Sequence, residues 1–245
     1  MRYLLLTLGV FISVALHAQF GFYAQGGGNY SMLRSTRSQG QENGKNGFGW
    51  QAGIGTEYHT QFGYFLYFGA DFSSQTFKKD STSSGFHNVV SEYTYKPLFV
   101  NFPFGIGYQF DLTKDVGLKV YGGITTQVGV GGNLKHNTNY FVPDSTSGVP
   151  VHVRSDKETH PLHYGRSIQV SDEFQSDLGN TIWGLNVGAG LNFSKCVEVA
   201  VFYQEGLTNI LPGGDAKPEV NKLRSVSIDV RFYFPKNYYT SKVKR

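Results

Sequence analysis

The chain has 245 residues, a net charge of +4, and 16% charged residues against the roughly 25% of soluble domains. This small positive charge, with no basic stripe, argues against nucleic-acid binding, and a 40% apolar content argues against a bundle of membrane helices. The 31 glycines and 16% aromatic residues suit strands that have one apolar face and one uncharged polar face.

The first predicted element is an export signal over residues 1–19. Arg2 supplies the positive start, an apolar run covers residues 4–16, and Ala18 is a small residue suited to cleavage. The run is too short to span a bilayer as a helix. We therefore exclude this segment from the fold and expect the mature chain to begin at Gln19 or Phe20.

Eight later segments alternate between apolar and polar residues, which is typical of strands with two different faces. The clearest is the last, where Val226 and Ile228 alternate with Ser225 and Ser227. Pro97 lies inside the fourth segment together with Pro103, and proline removes a ladder donor, so a bulge or break is expected there. In chain order the predicted strands cover residues 20–31, 48–59, 62–77, 93–110, 116–131, 181–193, 196–207 and 223–234. Three aromatic residues interrupt the polar faces: Phe65, Tyr67 and Phe202.

The connections between these strands alternate between long and short. The short ones are residues 60–61, 111–115 and 194–195, and the long ones are residues 32–47, 78–92, 132–180 and 208–222. Outer-membrane barrels have short periplasmic turns and long extracellular loops. The pattern therefore predicts that both termini are periplasmic, that residues 235–245 form a short basic periplasmic tail, and that residues 132–180 form a long extracellular loop.

The polar face consists mainly of Gly, Asn, Gln, Ser and Thr. A soluble barrel, such as a lipocalin-like carrier, would turn this face outward and would need many more charges for solubility. Large aromatic side chains near the strand ends also suit the interfacial girdle of a membrane barrel; they are Trp50, Tyr58, Tyr64, Trp183 and Phe234. The sequence therefore predicts an all-β fold, an eight-stranded antiparallel up-and-down transmembrane β-barrel over residues 20–234, surrounded by bacterial outer-membrane lipid.

Several stretches also resemble a known family. Residues 95–110 (YKPLFVNFPFGIGYQF), VYGGITTQVGVGG after them, GLNVGAGLNF, YQEGLTNI and the closing VSIDVRFYF are similar to the PorT-like outer-membrane β-barrel family of Bacteroidetes. The resemblance covers nearly the whole mature chain, and its structural glycines and aromatic residues identify the fold better than the function. It implies an outer-membrane location and, more weakly, a role in type IX secretion. The long connection over residues 132–180 departs from the family pattern.

The long connection carries histidines and carboxylates, which are common metal ligands. His160 and His163 are separated by Pro161 and Leu162, which fits neither a zinc-protease helix nor a Cys/His finger. These residues are interpreted as solvated, so no metal, cofactor or catalytic site is predicted. The residues concerned are His136, His152, His160, His163, Asp144, Asp156, Glu158 and Asp172.

Five charged residues have the parity of the polar face and are predicted to point into the lumen near the periplasmic end. They are Glu57, Lys119, Glu198, Asp229 and Arg231. Charges in a narrow lumen are costly unless they are paired, so a mutually compensating network and a lumen without an open pore are expected.

Three functions follow as hypotheses. The first is a non-enzymatic barrel that acts through its extracellular loops as an envelope scaffold or accessory component, with envelope or secretion-complex proteins as partners. The second is a small ligand-binding or channel barrel. The third is a rim enzyme that acts on lipid or peptide.

Overall fold

A computed structural model describes residues 19–37, 40–43, 45–83, 88–143, 150–165, 178–194, 196–211 and 220–234. The predicted signal peptide, apart from Gln19, and the predicted basic tail lie outside these residues. No helix in the described part of the chain is long and apolar enough to cross a membrane. The strands are β1 Gln19–Arg37, β2 Gly40–Asn43, β3 Lys45–His59, β4 Tyr64–Ser74, β5 Phe77–Ser83, β6 Asn88–Asp111, β7 Val116–Pro143, β8 Pro150–Pro161, β9 Thr181–Phe193, β10 Val197–Gly206 and β11 Val220–Tyr233.

Eight of these strands close into a ring. Their order is β1-β11-β10-β9-β7-β6-β4-β3, and β3 pairs back onto β1. All of these pairings are antiparallel. The predicted eight-stranded antiparallel barrel is therefore confirmed. The remaining strands are β2, β5 and β8. They pair with residues 34–37 of β1, 89–95 of β6 and 133–143 of β7, and they extend the barrel wall at one end.

The apolar faces of the strands point outward and the polar faces point into the lumen. Ile54, Val187 and Ile228 have more than half of their surface exposed, whereas Ser73 and Gln127 are almost completely buried. An outer wall with this much exposed apolar surface requires lipid around it. The predicted orientation of the two faces is thereby confirmed.

The long connections contain more strand than the sequence analysis predicted. β5 pairs with β6 between residues 77–83 and 89–95, and β7 pairs with β8 between residues 133–143 and 150–161. The predicted long connection over residues 132–180 therefore contains paired strand segments that the alternation of the sequence did not predict. Side chains on both faces of β8 are mostly exposed, so its residues carry no apolar alternation by which the strand could be recognised.

The short turns lie at one end of the barrel, together with the ends of its first and last strands. Gln19 pairs with His59 just before the first turn, and the Tyr233 amide donates to the Cys196 carbonyl at the last turn. Gly63 adopts a positive φ of 87° in the first turn, a conformation that glycine takes without steric cost. At the prolines of β6, the register with β7 shifts between Leu98 and Phe99, so the predicted bulge is confirmed.

Candidate functional site in the barrel lumen

A cluster of buried charges occupies the turn end of the lumen. Lys119 Nζ lies 2.6 Å from a carboxylate oxygen of Glu57 and 3.1 Å from one of Glu198, and all three side chains are at most 2% exposed. Arg231 lies 3.6 Å from each of the same two glutamates. The Tyr233 hydroxyl lies 2.8 Å from Glu57 and 2.7 Å from Glu198, and its single proton can be donated to either carboxylate. Two carboxylates therefore face two cations, and this part of the lumen is balanced in charge.

Aromatic rings surround the cations of this cluster. The Arg231 guanidinium lies 4.8 Å from the ring centre of Tyr23, 4.9 Å from that of Tyr121 and 4.7 Å from that of Phe202. Its Nε donates to Gln25 at 3.1 Å. Cation–π contacts gain strength where water is excluded, so the rings hold the guanidinium in place as well as covering it.

The aromatic residues that interrupt the alternating pattern supply part of this packing. Phe65 and Tyr67 are buried in the lumen against Tyr121, with Phe202 beside them. A Cβ added to Gly107 would overlap the Phe65 ring, so this inward-facing glycine makes room for it. Aromatic residues at inward positions, such as Phe65, Tyr67 and Phe202, therefore indicate a lumen filled by side chains. This signal was present in the sequence.

Asp229, the fifth predicted residue, lies outside the ion-paired cluster. It accepts a hydrogen bond from Gln51 Nε2 at 2.7 Å and faces a polar layer in the middle of the lumen. Asp71 lies in the same layer, 8% exposed, and was not among the predicted charges although it has the same inward parity. A cavity of about 50 Å³ separates the polar side chains here, which is room for a few water molecules.

The mouth of the lumen, at the end opposite the turns, holds an apolar cluster. Its buried residues come from five strands of the ring, from β5 and from the connections at this end: Leu33, Phe77, Tyr95, Phe99, Leu134, Leu162, Leu178, Ile182, Ile210, Leu211 and Leu223. Tyr164 turns back into this mouth, where its hydroxyl donates to the Gly131 carbonyl at 2.5 Å and its ring packs on Phe99. The lumen is thus filled by a charged layer, a polar layer and an apolar layer.

The histidines of the long connection are spread over the β7–β8 hairpin and its base. His136 stacks on Tyr93, and His152 lies against Phe141 on the neighbouring strand. His136 and Glu158 are cross-strand partners. Within the described residues, no group of three or more His, Cys, Asp or Glu could hold a metal ion. Asp144 and Asp172 lie outside the described residues.

The five predicted lumen residues can stabilise the barrel through their contacts with each other and with neighbouring side chains. Each carboxylate in the charged layer contacts a cation or a hydroxyl, which leaves it no role as a free base toward a substrate. The polar layer is too small for an organic ligand, because such sites usually have about 300–1,000 Å³. The surfaces available to proteins and organic molecules are therefore the outer wall and the strands beyond the mouth.

Comparison with known proteins places this geometry in a family. Residues 3–234 match the family described as outer membrane protein beta-barrel domain. Among solved structures, Neisserial surface protein A is 13% identical over 89% of this chain and 99% of its own, with a TM-score of 0.36. The attachment invasion locus protein Ail of Yersinia pestis, in complex with the heparin analogue sucrose octasulfate, is 13% identical over 87% and 99%, with a TM-score of 0.32. The outer membrane enzyme PagL is 12% identical over 83% and 98%, with a TM-score of 0.35.

A search of the curated proteins gave no significant match. The family match spans nearly the whole chain and agrees with the closed strand ring and the apolar outer wall. The protein is therefore an integral protein of the outer membrane, and it belongs to the outer membrane protein β-barrel domain family.

Proposed function

We propose that this protein is a non-enzymatic outer-membrane scaffold or accessory component that binds its partners through the strands beyond the barrel mouth. The single observation that supports this most is the filled lumen. Charged, polar and apolar layers occupy it from the turn end to the mouth. A lumen filled in this way stabilises the barrel wall, so partner proteins would bind to the outer surfaces of the barrel.

The orientation is part of the proposal. The short turns and the ends of β1 and β11 share one end of the barrel, and the hairpins share the other. Short turns of outer-membrane barrels face the periplasm. In this orientation both termini are periplasmic, and β8 with the upper part of β7 stands in the extracellular medium.

The β7–β8 hairpin is the surface best suited to contact a partner. Val151 and Val153 are 52% and 62% exposed on β8. Among the described strands β8 pairs only with β7, so its second edge has free backbone groups for a partner strand. The resemblance of residues 95–110 to the PorT-like family supports type IX secretion as the specific setting.

A rim enzyme is the weaker alternative. The Ser155 hydroxyl lies 2.7 Å from His152 Nε2 in the hairpin. The same hydroxyl also donates to Asn139 at 2.6 Å, and no carboxylate of the described residues hydrogen-bonds to His152. A serine nucleophile needs a histidine oriented by a third group, so this pair favours a structural contact across the hairpin.

The proposal is tested by shortening the hairpin. Lys135 and Thr159 are cross-strand partners, so residues 136–158 can be replaced by an Asn-Gly turn without changing the register. The control removes residues 36–41 from the β1–β2 hairpin, where Ser35 and Glu42 are also partners. Both variants should still shift in mobility on heating in a gel, which reports a folded barrel.

The readout is co-purification of crosslinked partners from native outer membranes. We expect secretion-complex proteins to be recovered with the wild-type chain and the control, and to be lost with the shortened β7–β8 hairpin. Equal recovery with the shortened variant would contradict the role of this surface. Recovery of no envelope protein with the wild-type chain would contradict the scaffold function itself.

A further inference from the structure

The buried charges of the lumen do not balance. Among the described residues, the buried charged side chains are four carboxylates and two cations: Glu57, Asp71, Glu198, Asp229, Lys119 and Arg231. Lys119 and Arg231 are both ion-paired to the two glutamates. Among the described residues neither aspartate forms an ion pair, although both line the polar cavity. Arg231 also lines this cavity, but it is within ion-pair distance of the two glutamates and of neither aspartate, so the layer is short of positive charge.

A chain of hydrogen bonds fixes which atoms face the cavity. Asn101 Nδ2 donates to Asp71 at 2.7 Å and to Ser73 at 2.9 Å, so both of its N–H groups are used. Its oxygen must then accept, and it accepts from Gln127 Nε2 at 3.0 Å. Gln127 therefore presents its own oxygen, which is buried and has no hydrogen-bond partner. The orientation of these amides follows from Asp71, because an ionised carboxylate can only accept.

A second buried amide oxygen also has no hydrogen-bond partner. Gln75, 3% exposed, also lines the cavity, and its side-chain oxygen is buried without a hydrogen-bond partner. Both free oxygens therefore belong to side chains that line the same cavity as Asp71 and Asp229. Carboxylate and amide side chains that line one small cavity can together supply oxygen ligands to a hard cation.

We propose that the cavity binds one hard divalent cation of the Ca²⁺ class, with Asp71, Asp229, Gln127 and Gln75 as the source of ligand oxygens. Carboxylate and amide oxygens, with waters, are the ligands that Ca²⁺ takes at about 2.3–2.6 Å. The charge of a divalent ion would balance the excess of two carboxylates over cations among the described buried residues of the lumen. His59, which hydrogen-bonds Glu57 at the turn end, is not among the residues that line the cavity. Only two of the ligands are charged, which suits the weak affinities of extracellular calcium sites.

The test uses Tb³⁺ as a luminescent probe on the full chain refolded in detergent. Tyr67 lines the cavity and can sensitise Tb³⁺ on excitation of its ring. We expect saturable luminescence that Ca²⁺ displaces and that NaCl at equal ionic strength does not. In Asp71→Asn and in Asp229→Asn the apparent affinity for Tb³⁺ and Ca²⁺ should fall at least tenfold. Asp71→Asn keeps an acceptor for Asn101, so the barrel should still fold.

The matched control is Asp80→Asn, at a carboxylate that pairs with Lys45 and is 43% exposed. It should bind Tb³⁺ like the wild type. A second measurement follows wild-type unfolding on heating, whose midpoint should be higher in CaCl₂ than in EDTA. The inference is overturned if no saturable luminescence appears, if NaCl displaces the probe as well as CaCl₂ does, or if both lumen variants bind like the control. None of these results depends on the partner of the hairpin, so the proposed function can fail or hold separately.

Discussion

Replacement of Arg231 tests whether the charged layer stabilises the barrel. Arg231→Met keeps most of the side-chain volume and removes the charge that lies 3.6 Å from both Glu57 and Glu198. Lys119 is then left to compensate two buried carboxylates. Removal of one partner of a buried ion pair costs about 3–5 kcal/mol, and we expect Arg231→Met to lower the free energy of unfolding by this amount.

Two further variants separate charge from packing. Arg231→Lys keeps the charge but loses the planar contacts with the surrounding rings, which should cost about 1–2 kcal/mol. The double variant Glu198→Gln/Arg231→Met removes one charge of each sign and leaves Lys119 paired with Glu57. It should be more stable than the sum of its single variants by about 1–3 kcal/mol.

The assay is urea unfolding in lipid vesicles, followed by tryptophan fluorescence. Trp50 and Trp183 are the two tryptophans of the chain, and both are about half exposed on the outer wall, where they report contact with lipid. The control Arg224→Met lies on the same strand and removes an ion pair with Glu205 at 2.6 Å, with both side chains over a quarter exposed. It should cost less than about 1 kcal/mol. Equal effects of Arg231→Met and Arg224→Met, or strict additivity of the double variant, would refute the reasoning.

Two other predictions concern the filled lumen. Gly55→Ala should lower the free energy of unfolding by about 1–3 kcal/mol in the same assay, because its Cβ would overlap the Tyr23 ring. The control Gly122→Ala should be nearly neutral, because nothing lies within 4 Å of the added Cβ. Equal effects of the two variants would show that the Tyr23 ring moves aside freely. The purified wild-type barrel in planar bilayers should give no steady single-channel current, because side chains fill the lumen; large steady currents would instead favour a channel.

The strands within the membrane could be predicted from the sequence because a strand with two different surroundings has a period of two. Residues 181–193 were predicted as a strand and form β9 with the same bounds. The inward parity of Glu198 and Arg231 was enough to make them neighbours, and they are register partners on β10 and β11. Both results depend only on local alternation and on the order of adjacent strands.

The other features of the lumen and the mouth depend on contacts between distant parts of the chain, which local alternation does not predict. Gln51 and Asp229 are 178 residues apart and meet over Gly27 of β1, the strand between theirs, which is decided by how the strands are staggered around the closed ring. Leu33 was placed in a predicted loop, yet it faces Leu223 inside the mouth. β8 escaped prediction because side chains on both of its faces are mostly exposed, and a strand with two similar faces shows no alternation.

The geometry of the hairpin connects the filled lumen with the proposed role. The last residue of β7 that pairs with β9 is Val128, so residues 129–143 rise beyond the edge of β9. At about 3.4 Å per residue, this extension of β7 is roughly 50 Å long. β6 pairs with β7 along nearly this whole length, which makes the extension continuous with the barrel wall. A wall packed from the inside would hold β8 at a fixed distance from the barrel mouth, which the proposed accessory role requires if one edge of β8 is to pair with a partner.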